Sequence, residues 1–151
     1  TVNDSDEFIS ALESCINWLE KDTIIYQNIP REITIAQAVI ESDYGRSRFA
    51  KQGNNLFGVR TWDLKTPHIK PFNDKNSIFG LKVYKTKCDS VKDYIRILNT
   101  GSAFEEFREL RFKMLKEGSV DSLLLVEKLK RFATDPNYIK IIKKTIIKLR
   151  K

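Results

Sequence analysis

The chain has 151 residues, 41% hydrophobic and 31% charged, which suits one folded domain with a sizeable core and excludes a disordered segment. A formal charge of +7 and a pI near 9.4 fit either a polyanionic partner (nucleic acid, anionic lipid or wall polymer) or a merely solubilising surface. No apolar run approaches the roughly 20 residues that cross a bilayer, the opening Thr1-Val2-Asn3-Asp4 does not read as a leader, and two distant cysteines with one histidine make no zinc pattern.

Residues 5–20 place Phe8, Ile9, Leu12, Cys15, Ile16 and Leu19 at helical spacing, after Asp and Ser residues that can cap. Pro30 suits the first turn of a second helix, which runs through Ile33, Ala36, Val39 and Ile40 to a stop at Gly45. A short helical segment over 47–51 ends at Gly53. From Leu56 to Thr86 the pattern changes. Phe57, Val59, Thr61, Ile78, Leu81, Val83 and Tyr84 are strand formers, separated by Pro67, Pro71, Asn73, Asp74 and Asn76. This is the one region that reads as sheet, a small irregular hairpin, with His68 in a loop among prolines.

Helical spacing returns after Asp89-Ser90 with Val91, Tyr94, Ile95 and Leu98, closing at Gly101. Phe104, Phe107, Arg111, Met114 and Leu115 mark the next helix, which stops at Gly118. Ser119 is the expected cap of another, with Leu123, Leu124 and Phe132 apolar. Asp135-Pro136 opens the last, through Ile139, Ile142, Ile146 and Leu149, interleaved with Lys140, Lys143, Lys144, Lys148 and Arg150. That helix reads as a packing helix with a solvated basic face, or as a contact for an anionic surface. The expectation is a single domain over 1–151, mainly helical, with a small β lobe inserted after the second helix.

Glu41 follows the apolar pair Val39-Ile40 at the C-terminal end of the second helix. Partial desolvation and the negative end of the helix dipole both raise the pKa of a carboxyl group there. Such a group holds its proton near neutrality, as a general acid for a glycosidic oxygen must. A surface glutamate near a helix end is the plainer alternative. Gly53-Asn54-Asn55-Leu56-Phe57-Gly58 is a polar turn into an apolar strand, and its two asparagines suit either unusual backbone angles or amide contacts to a substrate.

Three ordered stretches, AQAVIESDYGRSRFAKQGNNLFGVRTW, VYKTKCDSVKDYIRILNTGSAFEEFRELR and RFATDPNYIKII, resemble the glucosaminidase family of peptidoglycan hydrolases, glycoside hydrolase family 73. The resemblance is to its Bax-like branch, alongside flagellar muramidase-type domains and bacterial autolysins, and spans most of residues 32–142. It implies a lysozyme-like α+β fold, with a helical lobe and a small β-hairpin lobe flanking a substrate groove. It also implies cleavage of the β-1,4 bond after N-acetylglucosamine in peptidoglycan glycan strands, in the periplasm or cell wall, without a cofactor or metal. The family's acid falls on Glu41 of Glu-Ser-x-x-Gly, and the aromatic of its closing motif on Tyr138, there to hold the substrate acetamido group or orient the attacking water.

The match departs at the second carboxylate. Glycosidases commonly pair the acid with another carboxyl group, yet Gly80 and Leu81 stand where relatives carry a hairpin glutamate. Asp74 at the hairpin tip is the better substitute and Asp63 the lesser; otherwise the substrate's own acetamido group assists. Tyr44 and Trp62, with Asn54 and Asn55, are candidate sugar contacts, and Phe57 a weaker one. The rivals are a basic helical module for nucleic acid and a catalytically silent wall-binding domain. The ordered motifs favour the hydrolase, acting as a monomer that does not span a membrane and has no nucleic acid partner. Cys15 and Cys88 fit two small buried side chains or, outside the cytoplasm, a disulfide.

Overall fold

The computed structural model describes residues 4–71 and 74–151. Helix α1 (Asp4–Glu20) is followed by α2 (Arg31–Ser42) and the short α3 (Arg48–Gly53). Then come strands β1 (Arg60–Thr61), β2 (His68–Ile69) and β3 (Gly80–Lys82), and α4 (Lys87–Thr100), α5 (Glu105–Glu117), α6 (Ser122–Leu125) and α7 (Tyr138–Leu149). A 3-10 stretch over Val126–Phe132 leads from α6 toward α7. The mainly helical reading with a β insertion after the second helix holds. The sheet is larger than a hairpin: three antiparallel strands in the order β1-β3-β2, with Arg60 opposite Leu81 and His68 opposite Lys82.

Helix α2 is the axis of the molecule. Ile33 through Val39 are all buried, so the helix is covered on every side rather than along one stripe. The last helix covers much of it: Tyr138 meets Gln37 at one end while Arg150 pairs with Glu32, both N–H···O distances 2.8 Å, at the other. The two helices therefore run antiparallel. Ile142 and Ile146 on α7 are fully buried, each contributing roughly 1.5–3 kcal/mol by burial. Lys140, Lys144 and Lys148 are exposed, while Lys143 reaches Glu127 at 2.7 Å.

Several helix boundaries differ from the sequence reading, each for a capping reason. Thr86, not Asp89-Ser90, starts α4, its hydroxyl accepting the Asp89 N–H; Ser90 is buried and receives the Leu56 N–H instead. Asp121, not Ser119, caps α6, because its carboxylate accepts from Leu123 and Leu124. His68 belongs to β2 rather than to a loop, and Phe57 lies in the core, stacked on Tyr94 with ring centroids 4.0 Å apart. Cys15 and Cys88 form a disulfide that ties α1 to α4 across 73 residues of chain. A crosslink closing a loop that long removes on the order of 4 kcal/mol of unfolded-chain entropy. Asn73 lies outside the described residues.

The β lobe has little apolar area of its own and is held by polar clamps. Asp93 on α4 accepts from Lys82 Nζ (3.0 Å), Tyr84 Oη (2.6 Å) and Arg96 (2.8 Å). The Arg48 guanidinium donates twice to the Lys70 carbonyl. Gly53 packs directly beneath Ile69 and Val83, where a Cβ would meet both at 3.1–3.3 Å.

Candidate active site

Glu41 sits one residue before the end of α2, half-buried. The turn after it is built by its neighbours. Ser42 donates to the Ala38 carbonyl and accepts the Gly45 N–H (2.6 and 2.9 Å), while Asp43, Tyr44 and Gly45 all take left-handed φ. Gly45 is required there twice over: by its φ of 78° and because a Cβ would lie 2.9 Å from the Phe8 ring. The Glu-Ser-x-x-Gly spacing thus ends the helix immediately beyond the carboxyl group.

The loop over 53–58 forms the opposite wall. Asn55 is 2% exposed and its amide serves the protein on both sides. Its Nδ2 donates to the Val59 and Lys82 carbonyls at 3.0 Å each, and its Oδ1 accepts the N–H groups of Phe57 (3.3 Å) and Val59 (3.1 Å). The loop wraps around this one side chain. That brings Gly58, at φ 67°, so close to Glu41 that an added Cβ would stand 3.5 Å from Oε2. Asn54 caps α3 in the left-handed region, and its amide donates to the Tyr84 and Lys85 carbonyls. Both asparagines of the motif hold backbone; Asn54 is half-buried and Asn55 faces inward.

The third element is the start of α7. Asp135 accepts the Asn137 N–H at 2.8 Å, which opens the helix on Tyr138. Tyr138 is 4% exposed and its ring lies parallel to Phe132. Its hydroxyl accepts from Gln37 Nε2 at 3.0 Å, and the Glu41 carboxyl group lies beside it.

Burial pushes the Glu41 pKa up from its ordinary carboxyl value, opposed in part by the neighbouring Tyr138 hydroxyl. Tyr138 moves upward as well, first because it is buried and then because Glu41 lies beside it. Its phenol keeps its proton at any working pH and can serve as a donor. A carboxyl group desolvated in this way with a hydroxyl donor beside it is fitted to give up a proton and to be stabilised once it has.

Gly80, where a hairpin acid was sought, is buried against His68, whose ring would stand 2.5 Å from an added Cβ. The imidazole occupies the space a side chain would need. Asp74 and Asp63 are both exposed in loops of the β lobe. The Asp74 backbone closes turns with Pro71 and Ser77, and the Asp63 carboxylate accepts the Lys65 N–H.

Of the aromatic candidates, Trp62 is 62% exposed beside Phe79, and Arg60 lies 4.3 Å over the Phe79 ring. Tyr44 is half-buried, edge-on to Phe8 and covered by Arg46. Gln37, Gly58 and Ser42 were not singled out from the sequence. The available signal was Gln37 itself, a glutamine inside the apolar run Ile35-Ala36-Gln37-Ala38-Val39 and four residues before Glu41.

The family model for the glucosaminidase domain, described as mannosyl-glycoprotein endo-beta-N-acetylglucosaminidase, matches residues 21–151. An N-acetylmuramoyl-L-alanine amidase domain-containing protein of Staphylococcus aureus is 30% identical over 91% of this chain and 22% of its own length. The exo-glucosaminidase LytG of Bacillus subtilis is 29% identical over 75% of this chain and 41% of its own. The chain thus spans less than half of either relative. Among solved structures, the catalytic domain of the autolysin Auto from Listeria monocytogenes superposes with a TM-score of 0.69 at 23% identity, covering 99% of this chain and 86% of that one. A glycoside hydrolase domain of FlgJ from Salmonella typhimurium gives 0.66 at 21%, over 97% of each. At that identity the likeness is one of fold.

Proposed function

We propose, from the premise that this chain belongs to the glucosaminidase family, that it hydrolyses the glycan strand of peptidoglycan at the β-1,4 bond after N-acetylglucosamine. Glu41 is the general acid. The observation that carries the reading is a carboxyl group with its pKa raised by burial, backed by Tyr138 and walled by the backbone at Gly58. The names of the relatives, a glucosaminidase, an autolysin and an amidase-domain protein, support bacterial wall as the substrate. A disulfide between α1 and α4 fits a site of action outside the cytoplasm.

In this mechanism Glu41 gives its proton to the glycosidic oxygen as the C1–O bond breaks. The acetamido carbonyl oxygen of the same sugar closes on C1 in place of a protein nucleophile. Water then opens that ring and returns a proton to Glu41. One observation favours this route: the space at Gly80, where relatives carry a hairpin acid, is filled by the His68 ring. Tyr138, with both partners inside the protein, acts through Glu41. Trp62, beside Phe79 on the β lobe, supplies a sugar-stacking face, and Tyr44 and Asn54 border the groove.

Mass spectrometry of borohydride-reduced products from purified peptidoglycan tests the reading. The new reducing end should be N-acetylglucosamine within internal fragments. Reduced muramic acid ends would overturn the bond assignment, and release of single terminal sugars would overturn internal cleavage.

A further inference from the structure

One buried polar chain crosses three helices next to the site. Gln37 is fully buried on α2, one turn before Glu41 and on the same face. Tyr94, fully buried on α4, donates its hydroxyl to Gln37 Oε1. Gln37 Nε2 donates to the Tyr138 oxygen on α7 at 3.0 Å, and Tyr138 lies beside Glu41. Thr34 on α2 lies beside Tyr94 at the far end.

The direction of this chain follows from what each atom can do. An amide oxygen only accepts, so the single Tyr94 proton is committed to it. The amide nitrogen only donates, so it occupies a lone pair of the Tyr138 oxygen. The single proton of Tyr138 is then left for Glu41. A reversed amide would place its NH2 against Tyr94, leaving the Tyr94 proton without its acceptor, and would draw the Tyr138 proton away from Glu41.

We propose that Gln37 is a positioning residue that makes the Tyr138 hydroxyl a one-way donor to Glu41, with Tyr94 fixing the orientation of the Gln37 amide. This rests on the reading of Glu41 as the general acid. The relay favours the carboxylate left after proton transfer and lets Glu41 cycle between acid and base at a site whose burial favours the protonated form. A buried polar network of this kind is worth its desolvation only when every member is satisfied, as these are.

The test is the pH profile of kcat and kcat/KM on soluble glycan fragments for wild type, Gln37→Met, Gln37→Glu, Tyr94→Phe and Glu41→Gln. Gln37→Met should lower kcat about tenfold, the scale of one hydrogen bond to a charged group, with KM little changed. It should also move the alkaline limb upward by about one pH unit, the equivalent of that factor, because a protonated Glu41 can then donate to Tyr138. Tyr94→Phe should move both in the same direction by less.

Gln37→Glu is the conservative rescue. A neutral carboxyl group can accept from Tyr94 and donate to Tyr138, so activity should return toward wild type on the acidic side and fall once that group ionises. A Gln37→Met protein with a lowered thermal midpoint and an unmoved alkaline limb would return Gln37 to packing and overturn the relay. So would a Gln37→Glu protein with no recovery in acid. Full activity in Glu41→Gln would sink the acid assignment itself. Loss in Glu41→Gln with an unmoved Gln37→Met profile would sink the relay alone.

Discussion

Helix α2 and the β lobe are held together by opposite means. Around α2 the chain buries isoleucine, valine, alanine and leucine from several helices, and the few polar side chains there, Thr34, Gln37 and Ser42, are internal. The β lobe has strands of two and three residues and rests on Asn54, Asn55, Arg48 and Asp93, each holding a backbone or charged group in place. An apolar core tolerates small errors in any one contact, whereas a polar clamp fails when its single partner is removed. Glu41, the proposed acid, is anchored in the first region, and the Gly58 backbone beside it depends on the second.

Glu41→Gln should have the largest effect on turnover, at least about a hundredfold loss, the scale of general acid catalysis. Its stability should move the other way. Burial raises the folded-state pKa of Glu41, so its favourable contribution is complete below the unfolded-state pKa and lost as pH rises through the folded one. The thermal midpoint of Glu41→Gln should therefore match or exceed wild type at pH 7, and the advantage should fade on acidification. Near-wild-type lysis of cell walls by this variant would break the division of labour.

Tyr138→Phe should cost activity about tenfold or more through the lost donor to a charged oxygen, with a stability loss of roughly 1 kcal/mol. The paired measurement is initial rate on purified peptidoglycan and thermal midpoint. A full-rate variant would make Tyr138 a core tyrosine.

Asn55→Ala sharpens the comparison from the β side. It removes an amide that serves four backbone groups around the 53–58 loop. The expected cost is roughly 1–3 kcal/mol for groups left unsatisfied, together with lost activity as Gly58 shifts from Glu41. Denaturant unfolding and the rate assay check both. An Asn55→Ala protein as stable as wild type but unable to bind substrate would return Asn55 to sugar contact.

Asp74→Asn should be the mildest, within a few fold of wild type, because acetamido assistance needs no second carboxylate. Collapse of the rate with substrate binding intact would instead make Asp74 the base and the reaction a two-carboxylate inversion.

The helices were legible because their periodicity, prolines and glycines are local signals: Leu12, Ile16, Ile33, Val39, Ile142 and Ile146 all lie in the core at the spacing that suggested it. The caps at Thr86 and Asp121 were less so, since several Ser, Thr and Asp residues stand near each boundary and only geometry selects among them. The third strand escaped notice because two residues at His68–Ile69 leave no alternation to read.

By itself the sequence determined the order of the helices, the apolar run of α2 and the spacing of Glu41, Gly53-Asn54-Asn55 and Tyr138, all of which depend on neighbours along the chain. Tertiary structure alone decided that Asn55 turns inward, that His68 fills the place beside Gly80, that Cys15 and Cys88 meet, and that Tyr94, Gln37 and Tyr138 join at Glu41. Gln37 and Tyr138 are 101 residues apart. A hydrogen bond across that separation has no local signature, because it exists only when the packing of α2 against α4 and α7 sets its length.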